Sequence, residues 1–326
     1  MISNNYSKSD IKVSLAPLQG ITDYHFRNKF NEHFNGFDEA YTPFLRLDKG
    51  SEIKRSQIKD VLPENNKELR VIPQILTNSA EEFIYFSKYL FDLGYEEINW
   101  NLGCPFPLVA KRQMGSGLLP FPEKIEQILE KALPVIPAKV SIKMRLGYES
   151  ENDIFSVLPI LDKFPLTEII IHSRIGKQMY KGVANFDLFE KCIDLSHHNL
   201  AYNGDIDSLE TFEQLNNRFK TINSWMIGRS AISNPFLIEE IKLNKSFSTD
   251  IKLERFSAFH FDLYAQFTNT LSGSGHILSK MAHLWEYFSK SFSNCRKVYK
   301  KIKKSNTIGK FEEALHQIFN NEDWIA

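Results

Sequence analysis

Three residues with chemistry of their own stand in unusual surroundings: a cysteine, a lysine and a histidine. Cys104 lies in Asn101-Leu102-Gly103-Cys104-Pro105, on a turn between glycine and proline. The other candidate buried cysteine, Cys192, falls in an apolar helical pattern and reads as structural. A thiol on a turn can act as a thiolate nucleophile or as an acid–base group. With an ordinary pKa of about 8.5 it is mostly protonated at neutral pH and can give up a proton. A nucleophile would want a histidine base, for which His172 is the candidate; spacing does not choose between the roles. Lys143 interrupts the apolar run 139–146, where an ammonium needs a negative partner. That partner is either Asp205, in a buried ion pair, or an anionic ring or phosphate of a ligand. Asn203-Gly204-Asp205 and Gly228-Arg229-Ser230 are glycine-bearing turns that let backbone N–H groups approach an anion. A helix starting near Ser230 or Asn234 would point its positive end the same way.

The elements that must position these groups repeat. Short β-rich runs at 11–18, 39–47, 70–76, 96–102, 139–146, 168–174, 199–206 and 224–231 alternate with amphipathic helical stretches. One such helix opens at Ser79, carries Glu81 and Glu82 in its first turn, and stops at Gly94. Eight strands separated by helices predict a (β/α)8 TIM barrel, an α/β fold whose working residues lie at the C-terminal strand ends. Those ends carry Pro17, Leu18 and Gln19, then Gln74, Asn101 to Cys104, Lys143 and Arg145, and His172 and Arg174. The two glycine turns close the set. After about residue 243 the β signal disappears and apolar residues recur at three- and four-residue spacings. The expected organisation is a catalytic barrel over 1–243 and a small all-α helical domain over 244–326. The polar stretch 243–254 reads as the linker between them.

Composition narrows the class. The chain of 326 residues is 42% hydrophobic and 25% charged, as an ordinary globular protein is. Three separated cysteines without CxxC spacing exclude a disulfide framework and a structural zinc site, and fit a reducing compartment. His197 and His198 lack further ligands, so no metal is expected. The N-terminus is polar and no apolar run reaches membrane-span length, so a soluble cytoplasmic protein is expected. Forty basic and forty acidic side chains cancel, but not evenly. From Ile241 onward 13 Lys/Arg face 8 Asp/Glu, and Arg296, Lys297, Lys300, Lys301, Lys303 and Lys304 fall within nine positions. Such a run is either a solvated helix face or a contact to a nucleic-acid backbone.

Seven motifs in order carry a resemblance. They are APLQGITD at 16–23, NLGCP at 101–105, GSGLL at 115–119, KMRLG at 143–147, IHSRIGKQMYKG at 171–182, NGDI at 203–206 and MIGRSA at 226–231. Together they resemble the flavin-dependent tRNA-dihydrouridine synthases over residues 11 to 240, and the tail resembles that family's RNA-contacting domain. The resemblance implies reduction of the C5=C6 bond of a uridine in tRNA, with hydride from reduced FMN to C6 and NADPH as electron source. It implies that Cys104 is the general acid giving a proton to C5, and that the target base is flipped from its stack. FMN is then expected against Pro17, Leu18, Gln19, Gln74, Lys143 and His172, with its phosphate against Asn203, Gly204, Asp205, Gly228 and Arg229. RNA is expected at Asn101, Lys111, Arg112, Arg145, Arg174, Tyr180, Lys300 and Lys301. Gly115 and Gly117 are expected to act as hinges of a mobile Cys104 loop. The family leads to the expectation of a monomer. Leu18 stands where the family usually has methionine, and Ser173 and Ile175 replace its commoner glycine and threonine. Competing readings are an FMN barrel acting on a free pyrimidine, in the manner of dihydroorotate dehydrogenases, a catalytically silent RNA-binding relative, and the same chemistry on ribosomal RNA.

Overall fold

The computed structural model describes residues 11–47, 53, 58–66 and 68–326; the first ten residues of the polar N-terminus lie outside them. Nine parallel strands form one sheet: β1 Lys12–Leu15, β2 Glu39–Tyr41, β3 Arg70–Ile72, β4 Gln74–Ile75, β5 Glu97–Leu102, β6 Lys139–Gly147, β7 Ile169–Ile175, β8 Leu200–Asn203 and β9 Ser224–Ile227. Their order is β3-β2-β1-β9-β8-β7-β6-β5-β4. The expected third strand is divided at Pro73, which has no N–H to give to a ladder. Its first half pairs with β2 and its second with β5, so the divided strand closes the ring. The expectation of eight strands in a TIM barrel therefore holds.

Alternation along each strand sorts the side chains. Leu15, Trp100, Leu102, Ile142, Met144, Ile171 and Trp225 belong to the main core. Ala16, Tyr41, Ile72, Ile170, Ala201 and Met226 form a separate small cluster that fills the barrel interior. Below it an ion-pair plug closes the N-terminal end, with Lys12–Glu39 at 2.7 Å, Arg70–Glu39 at 3.0 Å and Arg70–Glu97 at 2.7 Å. Above it the inward positions of β5 to β8 are polar, and these make the site.

The helix expected after the third strand runs Ala80–Asp92, with Ser79 accepting a hydrogen bond from the Glu82 amide and Gly94 at φ +99 just past its end. Beyond β9 the described chain is helical. Half of the stretch expected as linker is helix, because Thr249–Thr270 begins inside it. This helix packs on Tyr24–His33 through Phe259, whose ring lies 5.9 Å from Phe30 and 5.1 Å from Phe34. Arg255 bridges the same seam, donating to the His33 carbonyl at 2.6 Å and pairing with Glu239 at 2.8 Å.

The helices Thr249–Thr270, Ser274–Phe288, Cys295–Lys304 and Ile308–Asn321 enclose an aromatic cluster. At its centre His260 accepts from the Trp285 indole at 3.0 Å, and its Nδ1 has no partner. Burial pushes His260 down to about 3. The folded state therefore binds this proton less well than the unfolded chain, whose histidine titrates near 6.5. Stability is at its full value above about pH 6.5 and is lost progressively as pH falls toward 3, by roughly 2 kcal/mol at pH 5. His260→Phe should flatten the difference in melting temperature between pH 7 and pH 5; an unchanged difference would assign the acid lability elsewhere.

Candidate active site

The C-terminal end of the barrel opens into a cavity of two lobes that share Pro17, Leu18, Lys143, His172 and Tyr180. The first lobe is bounded by Asn203, Gly204, Asp205, Gly228, Arg229 and Ser230. The second is bounded by Gln19, Phe44, Gln74, Asn101, Cys104 and Arg145. Every residue expected at the cofactor thus lines one lobe or the other. Phe44 carries no signal of its own in the sequence: it lies in the run expected as strand, whereas β2 stops at Tyr41. Ser230, in the second glycine turn, borders the first lobe at the start of the short helix Arg229–Ser233.

Lys143 does not form the ion pair considered for it. Its Nζ donates to Asn203 Oδ1 at 2.8 Å, and Asn203 Nδ2 donates to the Met226 carbonyl at 2.7 Å. Without a carboxylate partner, burial, reinforced by repulsion from Arg145, lowers Lys143 to about 7. Asp205 is engaged elsewhere: Arg174 holds it at 2.6 Å, and Arg229 lies 4.0 Å away. Gly204, at φ +147, has the Tyr202 hydroxyl and Ala184 where a Cβ would stand, so this turn needs glycine.

His172 is a neutral group. Burial and the charges of Arg145, Lys143, Arg174 and Arg229 press its pKa well below the ordinary value. Arg174 Nη1 lies 3.2 Å from His172 Nε2. Arginine only donates, so Nε2 accepts and the proton sits on Nδ1. Tyr180 spans the two lobes, with Arg229 4.3 Å and Arg145 5.4 Å from its ring centre.

Cys104 is partly buried. Burial raises its thiol above the ordinary value, opposed by the Phe106 backbone N–H and by the charges of Arg145 and Arg46. The thiol is therefore protonated at neutral pH. A histidine pressed below its ordinary value by burial and by four neighbouring cations is also a poor base for activating that thiol. The loop carrying Cys104 is held by Arg145, which donates to Gly103 O at 3.1 Å and Ile175 O at 2.8 Å.

Two expectations are corrected, that of a Gly115–Gly117 hinge and that of Arg174 at the mouth. Gly115 and Gly117 do not sit in an open hinge: they belong to a buried turn, Gly115–Leu118. A Cβ on Gly115 would meet Cys104 O at 2.7 Å, and one on Gly117 would meet Ala110 O at 2.3 Å. Close approach, not flexibility, is what these glycines permit; Ser116 N and Oγ both donate to Cys104 O at 3.0 Å. Arg174 does not line the mouth, because it is buried and ties Asp205 to the carbonyls of Lys181 and Gly182. Lys111 and Arg112 are exposed beyond the Cys104 loop and border neither lobe. Lys300 and Lys301 lie on Cys295–Lys304, whose Val298 and Ile302 face inward, and they do not reach the cavity.

The fold and the site define a barrel enzyme with a cation-lined cavity and a protonated thiol at its C-terminal face. Morphinone reductase shares the fold, with a TM-score of 0.52 at 11% identity, over 73% of this chain and 87% of that one. The dihydrouridine synthase (Dus) family model matches residues 14–322. A tRNA-dihydrouridine(16) synthase of Neisseria meningitidis serogroup B is 29% identical, over 73% of each chain. A probable tRNA-dihydrouridine synthase of Staphylococcus epidermidis is 31% identical, over 69% of this chain and 70% of that one. The chain belongs to the dihydrouridine synthase family. It is accordingly an oxidoreductase, since dihydrouridine differs from uridine by two hydrogens across a carbon–carbon double bond. Among the described residues no helix is long and apolar enough to cross a membrane.

Proposed function

We propose that the chain reduces the C5=C6 bond of a uridine in tRNA, with FMN in the two-lobed cavity and NADPH as the source of electrons. The observation that carries this reading is the charge of the cavity: Lys143, Arg145 and Arg229 line it against the single carboxylate of Asp205. Such a lining suits an anionic phosphate and a ring that becomes anionic on reduction. Asn203, Gly204, Gly228 and Arg229 would hold the phosphate, and Lys143, Gln74, Pro17, Leu18 and His172 the ring system.

Bound and reduced, the flavin supplies a hydride for C6 of uracil. The protein supplies the rest. A hydride at C6 leaves an enolate, and the protonated Cys104 thiol gives its proton to C5. The Phe106 N–H and the charges of Arg145 and Arg46 then stabilise the thiolate that remains. Asn101 and Tyr180 would flank the base, with Arg145 supporting the Cys104 loop.

In this reading residues 1–243 are the catalytic domain and 244–326 the RNA-binding domain. Its basic run would follow the RNA backbone, with Lys111 and Arg112 as outlying phosphate contacts. Replacing Lys300, Lys301, Lys303 and Lys304 together by glutamine should weaken tRNA binding and reduce its salt dependence while the flavin is retained. Unchanged affinity would make this run a solvated face. The reading as a whole is tested by identifying the cofactor released from purified protein and by counting dihydrouridine in tRNA incubated with enzyme and NADPH. Protein without FMN, or tRNA left unmodified, would overturn it.

A further inference from the structure

Beneath Cys104 runs a chain of buried side-chain hydrogen bonds whose lower members, Ser141 and Asn99, have no part in the proposed chemistry. Ser141 Oγ donates to the Ile98 carbonyl at 3.3 Å and accepts from Asn99 Nδ2 at 3.0 Å. Asn99 Oδ1 accepts from Gln74 Nε2 at 2.8 Å, and Gln74 Oε1 accepts from Asn101 Nδ2 at 2.6 Å. Asn101 Oδ1 finally accepts from two backbone amides, Gly103 at 3.0 Å and Cys104 at 2.8 Å. The strand register builds this path, because Gln74 pairs with Asn99 and Asn99 with Ser141. Ser141, Asn99 and Gln74 are fully buried, and Asn101 nearly so.

The direction of the chain is set by its ends. At the lower end the Ile98 carbonyl can only accept, so the Ser141 hydroxyl donates there and keeps its lone pairs for Asn99. At the upper end the two amides can only donate, so Asn101 must turn its oxygen to them. Each amide between has one orientation compatible with both ends. Turning any one of them would oppose two donors or two acceptors in a buried site. One N–H of Asn101 and one of Gln74 are left uncommitted, so this wall of the cavity offers donors to whatever binds there.

We infer that Ser141 and Asn99 are positioning residues: they fix the amide orientation of Gln74 and Asn101, and through Asn101 the turn that presents the Cys104 thiol. Neither lines the cavity, and neither touches Cys104 directly.

The test reads the thiol itself and so does not depend on the proposed function. The alkylation rate of Cys104 by iodoacetamide is measured in the full-length protein, with Cys104→Ala identifying the contribution of the other thiols. Ser141→Ala should free the turn and raise the rate, and Ser141→Thr, which keeps the hydroxyl, should restore it. In an Asn101→Ala background Ser141→Ala should then change little, a coupling greater than about twofold. Should Ser141→Ala fail to fold, Asn99→Leu takes its place in the same cycle. Rates unchanged by Ser141→Ala, or effects that simply multiply, would overturn the inference. The activity arm rests on the tRNA reading: Ser141→Ala should slow reduction of RNA by reduced enzyme about 10- to 100-fold, the scale of a misplaced reacting group. Wild-type enzyme inert toward tRNA, with the thiol cycle still coupled, would sink that reading and leave this one standing.

Discussion

Cys104→Ala should retain its flavin, accept electrons from NADPH at the normal rate, and lose turnover on tRNA by about 10²- to 10⁴-fold. The separation follows from where the thiol stands. Cys104 borders the lobe that carries Gln74 and Asn101, and it lies away from the Asn203 and Gly228 turns assigned to the phosphate. Its removal leaves the cofactor's contacts intact and takes away only the proton for C5. Cys104→Ser should do little better, because a hydroxyl is a far weaker acid than a thiol. The profile with pH carries a sign as well. Burial raises the thiol, so activity should persist past the pH at which an ordinary cysteine ionises, then fall as the proton is lost. Single-turnover reduction of tRNA by reduced enzyme, followed by dihydrouridine analysis, measures all three. A variant that keeps a tenth or more of wild-type turnover would mean that solvent, not Cys104, delivers the proton.

The barrel was legible because its signal is local. A strand buried on both faces reads as a short apolar run, and eight such runs separated by amphipathic helices leave few architectures open. The polar residues at the strand ends were legible for the same reason: Lys143, His172 and Asn203 interrupt apolar runs in which nothing polar should stand without a purpose. What escaped were relations between strands. Arg174 and Asp205 looked like ligands for RNA and phosphate, yet they hold each other at 2.6 Å across β7 and the turn after β8. Distance along the chain gives no hint of that pairing. Gly115 and Gly117 looked like hinges because glycine is permissive in either use. Only the positions of Cys104 O and Ala110 O show that close packing is the reason for them. The line from Ser141 to Cys104 escaped too, since it depends on register, and a shift of one residue would turn Asn99 out of the barrel.

The second large effect belongs to Lys143. Replacing it with methionine should raise the melting temperature of the ligand-free protein, because an ammonium held without a carboxylate is a cost to the fold. The same variant should bind flavin about 10- to 100-fold more weakly, the scale of a lost charge-assisted hydrogen bond. Stability and affinity would move in opposite directions, which a merely structural lysine would not produce. The pKa of Lys143 adds an independent check. In the free protein it lies at about 7, and an anionic ligand beside it must raise it. Binding above pH 7 therefore takes up a proton. Flavin affinity should be level below about pH 7 and fall by up to tenfold per unit above it, until the lysine of the complex itself ionises. Titration of apoprotein with FMN from pH 6 to pH 9 measures this slope, and Lys143→Met should abolish it. A level affinity in the wild-type protein would mean that the ligand does not meet Lys143 as an anion, and the assignment of this lobe would have to be redrawn.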